Sequence, residues 1–297
     1  MIKRIEKTIT EELSDRYELR GQKIFFLKYN TPLSGTGLGN KIIFFVFLEH
    51  ADTPFLIVKT VRSYRDADVV SSGYTKLSSL NNLTQDSPFS VMFPKALLLH
   101  HSGREIWSVE TVCGGRRASI NDLKRIVSVY GLFSQYIKKN SSGSVTLDVG
   151  YGEDLLRQFS GAAKTLAGLQ QHLIGLWRDH TLVLPRLPQH GDLTLDNIFI
   201  DHGAVKIIDC DLFGDIVLPG FDMFHLLARS DVSAARSFKL AEYFQNMNID
   251  IVPDEKLLFM YFLQEMLVKK DYIFIDRTAA EIIGQWRDII VSRGLGA

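Results

Sequence analysis

The chain has 297 residues, and its 34 basic and 34 acidic side chains give a formal net charge of zero. At 46% hydrophobic and 23% charged residues it has an ordinary globular composition, long enough for two lobes or one large domain. The charge balance excludes a general nucleic-acid footprint, no stretch reaches the roughly 18 uninterrupted apolar residues of a membrane span, and Cys113 and Cys210 are too few for a disulfide framework and lack metal-ligand spacing. The charged start, residues 1–7, is followed by no apolar run of signal-peptide length. A cytoplasmic protein with reduced thiols is the expectation, and the sequence leaves its oligomeric state open.

Residues up to about 110 read as β-rich. Residues 23–29 form a strand-like run, 41–49 (KIIFFVFLE) a stronger one and 55–61 (FLIVKTV) a third. Between the first two lies a Ser-Gly-Thr-Gly-Leu-Gly-Asn segment with Gly35, Thr36, Gly37 and Gly39. Alternating glycines permit a tight hairpin and leave backbone N–H groups unobstructed. Such a loop can lie over phosphates, and it serves equally as a plain flexible turn. Lys59 stands in the third strand, where alternation ordinarily turns a Lys to solvent. Residues 66–80 are a helix candidate. Residues 97–100 and 106–110, around Gly103, read as another strand pair that runs into Glu110-Thr111-Val112-Cys113-Gly114-Gly115.

From Ser119 the pattern turns helical. Ser119-Ile120-Asn121-Asp122 reads as a helix start, with Leu123, Ile126, Val127, Tyr130 and Phe133 following at helical spacing. Residues 153–173 form a second periodic stretch. Helices resume at 221–229, 232–246, 254–269 and 278–294.

Between these helical stretches lies the most informative segment, His190-Gly191-Asp192-Leu193-Thr194-Leu195-Asp196-Asn197. Ile198, Phe199 and Ile200 follow as a short strand, Asp201-His202-Gly203 as a hairpin turn, and Val205 to Ile208 as the return strand, with Asp209 at its end. The hairpin brings Asn197 and Asp209 together. A carboxylate beside an amide oxygen suits Mg²⁺, a hard cation that prefers oxygen ligands. Asp192 falls near the same place, where it can accept a proton from a substrate hydroxyl. The plain alternative is an acidic loop before a hairpin, but both motifs match in type, order and separation.

The HGDLxxxN and IDxD forms, with Asp209-Cys210-Asp211 where protein kinases carry Asp-Phe-Gly, resemble the aminoglycoside phosphotransferase and choline kinase family. The resemblance implies an α+β, bilobal protein-kinase-like fold. Residues 1–110 would be a β-rich nucleotide-binding lobe and 111–297 a mainly helical catalytic and acceptor-binding lobe, with nucleotide at the hinge. It also implies roles. The loop of Gly35, Thr36, Gly37 and Gly39 covers the phosphates, and Lys59, in a Leu-Ile-Val-Lys segment similar to the kinase Val-Ala-Ile-Lys, holds them. The backbone at Glu110 and Val112 meets the adenine edge. Asn197 and Asp209 bind Mg²⁺, and Asp192 is the catalytic base. Asp222 braces the catalytic loop, and His190 packs beneath it. The sequence departs from the family at Gly73, which occupies the place of the helix Glu that pairs with the Lys. Asp66 and Asp68 are the nearby carboxylates expected to substitute.

The implied activity is transfer of the γ-phosphoryl group of ATP, or of GTP, to a hydroxyl of a small metabolite such as a sugar, an amino alcohol or an aminoglycoside. The segment between Asp211 and Asp222 is short and no Ala-Pro-Glu occurs, which weighs against a protein kinase. A nucleotide-binding, pseudokinase-like module stays open because of Gly73. Glu265, Asp271, Asp276, Tyr261, Tyr272 and Trp286 are candidates for an acceptor pocket, with core packing as the ordinary alternative.

Overall fold

The alternating apolar runs of the first third pair into one antiparallel sheet. Its strands are β1 (Ile24–Asn30), β2 (Lys41–Leu48), β3 (Leu56–Val61), β4 (Ala96–Ser102) and β5 (Glu105–Thr111), in the order β1-β2-β3-β5-β4. The computed structural model describes residues 1–30, 41–159, 163–230, 240–268 and 277–295, so the glycine loop with Gly35, Thr36, Gly37 and Gly39 lies outside the described residues. Alternation gives the sheet two faces. Ile42, Phe44, Val46, Leu56, Val58, Trp107 and Val109 form one face and pack with Ile5 and Ile9 of α1 (Ile2–Glu12). Ile106 on the other face packs with Ala67 and Val70 of a later helix, Ala67–Thr84.

Helix α1 was not anticipated by the β-rich reading. Its signal was present: Ile2, Ile5, Ile9 and Leu13 recur at helical spacing, and Ile5 and Ile9 are fully buried. Burying each such side chain contributes roughly 1.5–3 kcal/mol. A one-turn helix α2 (Ser14–Tyr17) follows, and the helix Ala67–Thr84 is α3.

The chain divides into two compact units, Met1–Gly114 and Gly115–Ala297. In the second unit β6 (Arg116–Arg117) leads into α4 (Leu123–Asn140). A capping box between Ser119 and Asp122 starts that helical stretch, and Asp122 also takes both guanidinium nitrogens of Arg116 at 2.7 Å. Next come β7 (Ser144–Leu147), α5 (Val149–Leu156), α6 (Ala163–Trp177) and β8 (Leu182–Pro185). The single periodic stretch expected over 153–173 is therefore two helices. Tight i to i+3 backbone bonds from Gln158 and Phe159 close α5, and α6 folds back so closely that a Cβ on Gly152 would lie 2.4 Å from the Leu173 side chain.

Strands β9 (Ile198–Asp201) and β10 (Ala204–Ile207) form the expected hairpin, and β9 also pairs with β6. The helices α7 (Phe221–Arg229), α8 (Leu240–Asn246), α9 (Glu255–Val268) and α10 (Ala279–Arg293) complete the unit. Helix α9 is apolar nearly all round and accordingly buried. Helix α10 starts at a Thr278–Glu281 capping box and stops at left-handed Gly294. The architecture is α+β, a strand-rich first unit and a mainly helical second one. No helix among the described residues is long and apolar enough to cross a membrane.

Candidate active site

The β9–β10 hairpin turns through His202 and Gly203, both at positive φ, the geometry of a two-residue type I′ turn. The ladder continues one step past the strands: the Ile208 N–H donates to the Asn197 carbonyl at 2.9 Å. Asn197 therefore faces Ile208, and Asp209 comes next. Asp209 is exposed and left-handed, at φ 61° and ψ 51°, which ends the strand and turns the chain into a short 3₁₀ segment, Cys210–Leu212. A non-glycine residue in that conformation costs roughly 1–2 kcal/mol, and Asp tolerates it better than most.

The loop before the hairpin is held from below. Asp222, fully buried on α7, accepts the backbone N–H groups of His190 and Gly191, the latter at 2.8 Å, and the Tyr130 hydroxyl. Burial, then the charge of Asp222, pushes the Tyr130 hydroxyl well above its ordinary pKa, so it remains a donor. His190 is buried too. Its Nε2 donates to the Ile208 carbonyl at 2.9 Å and its Nδ1 accepts from the Asp192 N–H at 3.3 Å, a division of roles that the two partners impose. Gly191 sits at φ +89°, and a Cβ there would lie 2.8 Å from that of Leu212. Only glycine fits this bend without displacing the chain after Asp209.

These supports place Asp192 with its side chain 37% exposed. Asn197 Nδ2 donates to the Asp192 carbonyl at 2.9 Å and to Oδ2 at 3.2 Å. Both partners are acceptors, so the amide nitrogen must face them, which directs the Asn197 Oδ1 away. That oxygen and the Asp209 carboxylate are hard donors on adjoining ends of the hairpin, and the pair fits Mg²⁺, which takes few protein ligands and fills its octahedron with water and phosphate oxygens. Oδ1 of Asp192 meets His225 Nε2 at 3.1 Å. Burial pushes the Asp192 carboxyl up, but the hydrogen bond from His225 and the positive charge of Arg229 outweigh it and hold the group below its ordinary value. At neutral pH Asp192 is a carboxylate with lone pairs still open to a hydroxyl.

The first unit holds a charged pair of its own. Lys59 on β3 stands opposite Ser108 of β5, and its Nζ lies 3.1 Å from Oε1 of Glu110, two residues along the same face. The side chains are only 13% and 8% exposed. Asp66 and Asp68 are the carboxylates expected to serve Lys59, and the neighbouring strand adds Glu110 to them. A β-branched, apolar strand such as β3 gives no sequence clue to which of its neighbours carries a charge. Glu110 lies inside β5 with strands on both sides, while Val112 is past the end of β5.

Three of the acceptor-pocket candidates are buried. Tyr261 and Trp286 are fully buried, the Tyr261 hydroxyl donates to the Pro219 carbonyl, and Trp286 packs edge-on against Phe259. Glu265 is buried near His225 and Arg229. Asp271, Tyr272 and Asp276 lie outside the described residues. Sequence reasoning did not single out His225, although it lies one helical turn after Asp222 and so on the same face of α7.

No protein-family model matches the sequence, and no curated protein matches it. Solved structures do. A thermostable mutant of an aminoglycoside phosphotransferase, in a ternary complex with ADP and hygromycin B, is 12% identical, with a TM-score of 0.59 over 99% of each chain. Choline kinase from Cryptosporidium parvum is 8% identical, with a TM-score of 0.58 over 99% of this chain and 96% of that one. An aminoglycoside phosphotransferase from Streptomyces rimosus is 14% identical, with a TM-score of 0.51 over 89% of this chain and 98% of that one. At such identities the likeness is one of fold: this chain has the protein-kinase-like fold of small-molecule kinases over most of its length.

Proposed function

We propose that the chain is a phosphotransferase that moves the γ-phosphoryl group of ATP to a hydroxyl of a small molecule. The observation that carries the reading is the Asp192 carboxylate, ionised, held at both oxygens and still open to solvent, on the loop whose Asn197 adjoins Asp209. In this reading Asp192 orients the acceptor hydroxyl and takes its proton as the oxygen attacks the γ-phosphorus in line with the departing diphosphate. Gly35, Thr36, Gly37, Gly39 and Lys59 hold the phosphates, and the backbone near Glu110 and Val112 holds the base. Asn197 and Asp209 would hold Mg²⁺, whose charge neutralises the phosphate oxygens. Most of the rate enhancement comes from positioning and charge, because phosphoryl transfer needs little covalent help.

The rival of a non-catalytic nucleotide-binding module rested on Gly73. The Glu110 carboxylate beside Lys59 weighs against it. The nine residues between Asp211 and α7 leave little room for a peptide platform, which favours a small acceptor.

The test is a transfer assay with γ-labelled ATP or GTP and Mg²⁺ against aminoglycosides, amino alcohols, sugars and nucleosides. Asp192→Asn is expected to lower turnover about 10²–10⁴-fold while calorimetry still shows Mg-nucleotide binding. Asp209→Asn is expected to abolish the Mg²⁺-dependent activity in a folded protein. Tight nucleotide binding with no acceptor ever labelled would restore the binding module, and wild-type turnover in Asp209→Asn would remove the metal assignment.

A further inference from the structure

His225 is the least explained polar group near Asp192. It is fully buried on α7, and its ring stacks on Phe221 with centroids 5.7 Å apart. Its Nε2 lies 3.1 Å from Oδ1 of Asp192, within hydrogen-bond reach, and a hydrogen on Nε2 makes the ring the donor of that contact. On the far side of the ring Nδ1 faces Oε1 of Glu265 at 3.8 Å, and that same oxygen lies 3.6 Å from Nε of Arg229. The result is a row of four groups, Asp192, His225, Glu265 and Arg229, carried by the loop, by α7 and by α9. Only its two ends reach solvent to any extent, with Asp192 at 37% and Arg229 at 40% side-chain exposure. A buried imidazole costs free energy unless it is hydrogen-bonded, and a helix core offers cheaper apolar ways to fill the same volume.

We propose that His225 is a positioning residue for the phosphoryl transfer: its Nε2–H pins Oδ1 of Asp192, so that the carboxylate keeps one orientation toward the acceptor hydroxyl. The proposal rests on the reading of Asp192 as the base. With Asn197 Nδ2 on Oδ2 and His225 Nε2 on Oδ1, rotation about the last side-chain bond of Asp192 breaks both contacts. The acceptor then meets a fixed lone pair rather than a rotating one. Loss of such positioning can cost on the order of 10²-fold in rate.

The experiment compares His225→Phe, which keeps ring and volume but has no donor, with His225→Gln, whose amide reaches the place of Nε2. Each is made in the wild-type and Asp192→Asn backgrounds and read by kcat and nucleotide KM for Mg-ATP. His225→Phe is expected to lower kcat roughly 10–100-fold at unchanged nucleotide KM, and His225→Gln to regain most of that loss. In the Asp192→Asn background His225→Phe should add little further loss, since both act through one carboxylate. Should the phenylalanine variant not fold, His225→Asn, whose shorter amide stops short of Asp192, replaces it with the same expected losses. Full kcat in a folded donor-free variant, or an equal loss in both backgrounds, overturns the proposal and leaves the base reading standing. Wild-type turnover in Asp192→Asn alone overturns the base reading, and the positioning role falls with it. Nitrogen-15 NMR of the histidine rings is a further readout, independent of turnover: a hydrogen on Nδ1 alone refutes the contact.

Discussion

Glu110→Gln removes the charge that faces Lys59 and changes almost nothing in shape. At 3.1 Å and an effective dielectric of about 20, the direct attraction is about 5 kcal/mol. Both side chains are nearly buried, so the cost of taking two charges out of water offsets most of this and leaves a coupling on the order of 1–3 kcal/mol. Glu110→Gln and Lys59→Met are each expected to destabilise the sheet by about that amount, and the double variant to cost less than their sum by the coupling energy. Amide hydrogen exchange of peptides from β3 and β5 is the suitable assay, because it reads the opening of these strands separately from unfolding of the second unit. Additivity within about 0.5 kcal/mol would refute the pair as an energetic unit. A functional consequence accompanies it: a Lys59 no longer held by Glu110 should raise the nucleotide KM and lower kcat.

Asp222→Ala strands the buried donors of His190, Gly191 and Tyr130. At roughly 1–3 kcal/mol for each orphaned group the loss is at least about 3 kcal/mol, measurable by urea denaturation followed through Trp177 and Trp286, and a loss below about 1 kcal/mol contradicts the brace. The Arg116 guanidinium first, against the opposing effect of burial and with help from Ser119, holds the Asp122 carboxyl far below its ordinary value. A carboxyl depressed in the folded state adds stability above the ordinary carboxylate range, and that stability is lost as pH falls below about 4. Asp122→Asn should therefore flatten the acid side of the curve of melting temperature against pH, and an unchanged acid limb would show that the Arg116 pair does not contribute.

Short-range patterns in the sequence were enough to specify a good deal of this molecule. The β9–β10 hairpin follows from two apolar runs around His202-Gly203. Helix α7 begins and ends where its apolar run does, and α10 lies between the Thr278 cap and Gly294. Asn197 and Asp209 come together because hairpin pairing is local, so their juxtaposition was legible before any tertiary contact was known. Helix α1 is equally local, but its spaced isoleucines sit among charged residues and give a weaker pattern. What the tertiary structure alone decided are the partners. Glu110 lies near Lys59 because β5 lies beside β3 in the sheet, an adjacency that no spacing along the chain encodes. His225 reaches Asp192 from 33 positions away, and Glu265 reaches His225 from α9, because packed helices bring side chains within hydrogen-bond or ion-pair range by shape. Hydrophobic periodicity says which face of a helix is buried, but a His or Glu on that face is unassigned until the neighbouring elements are in place.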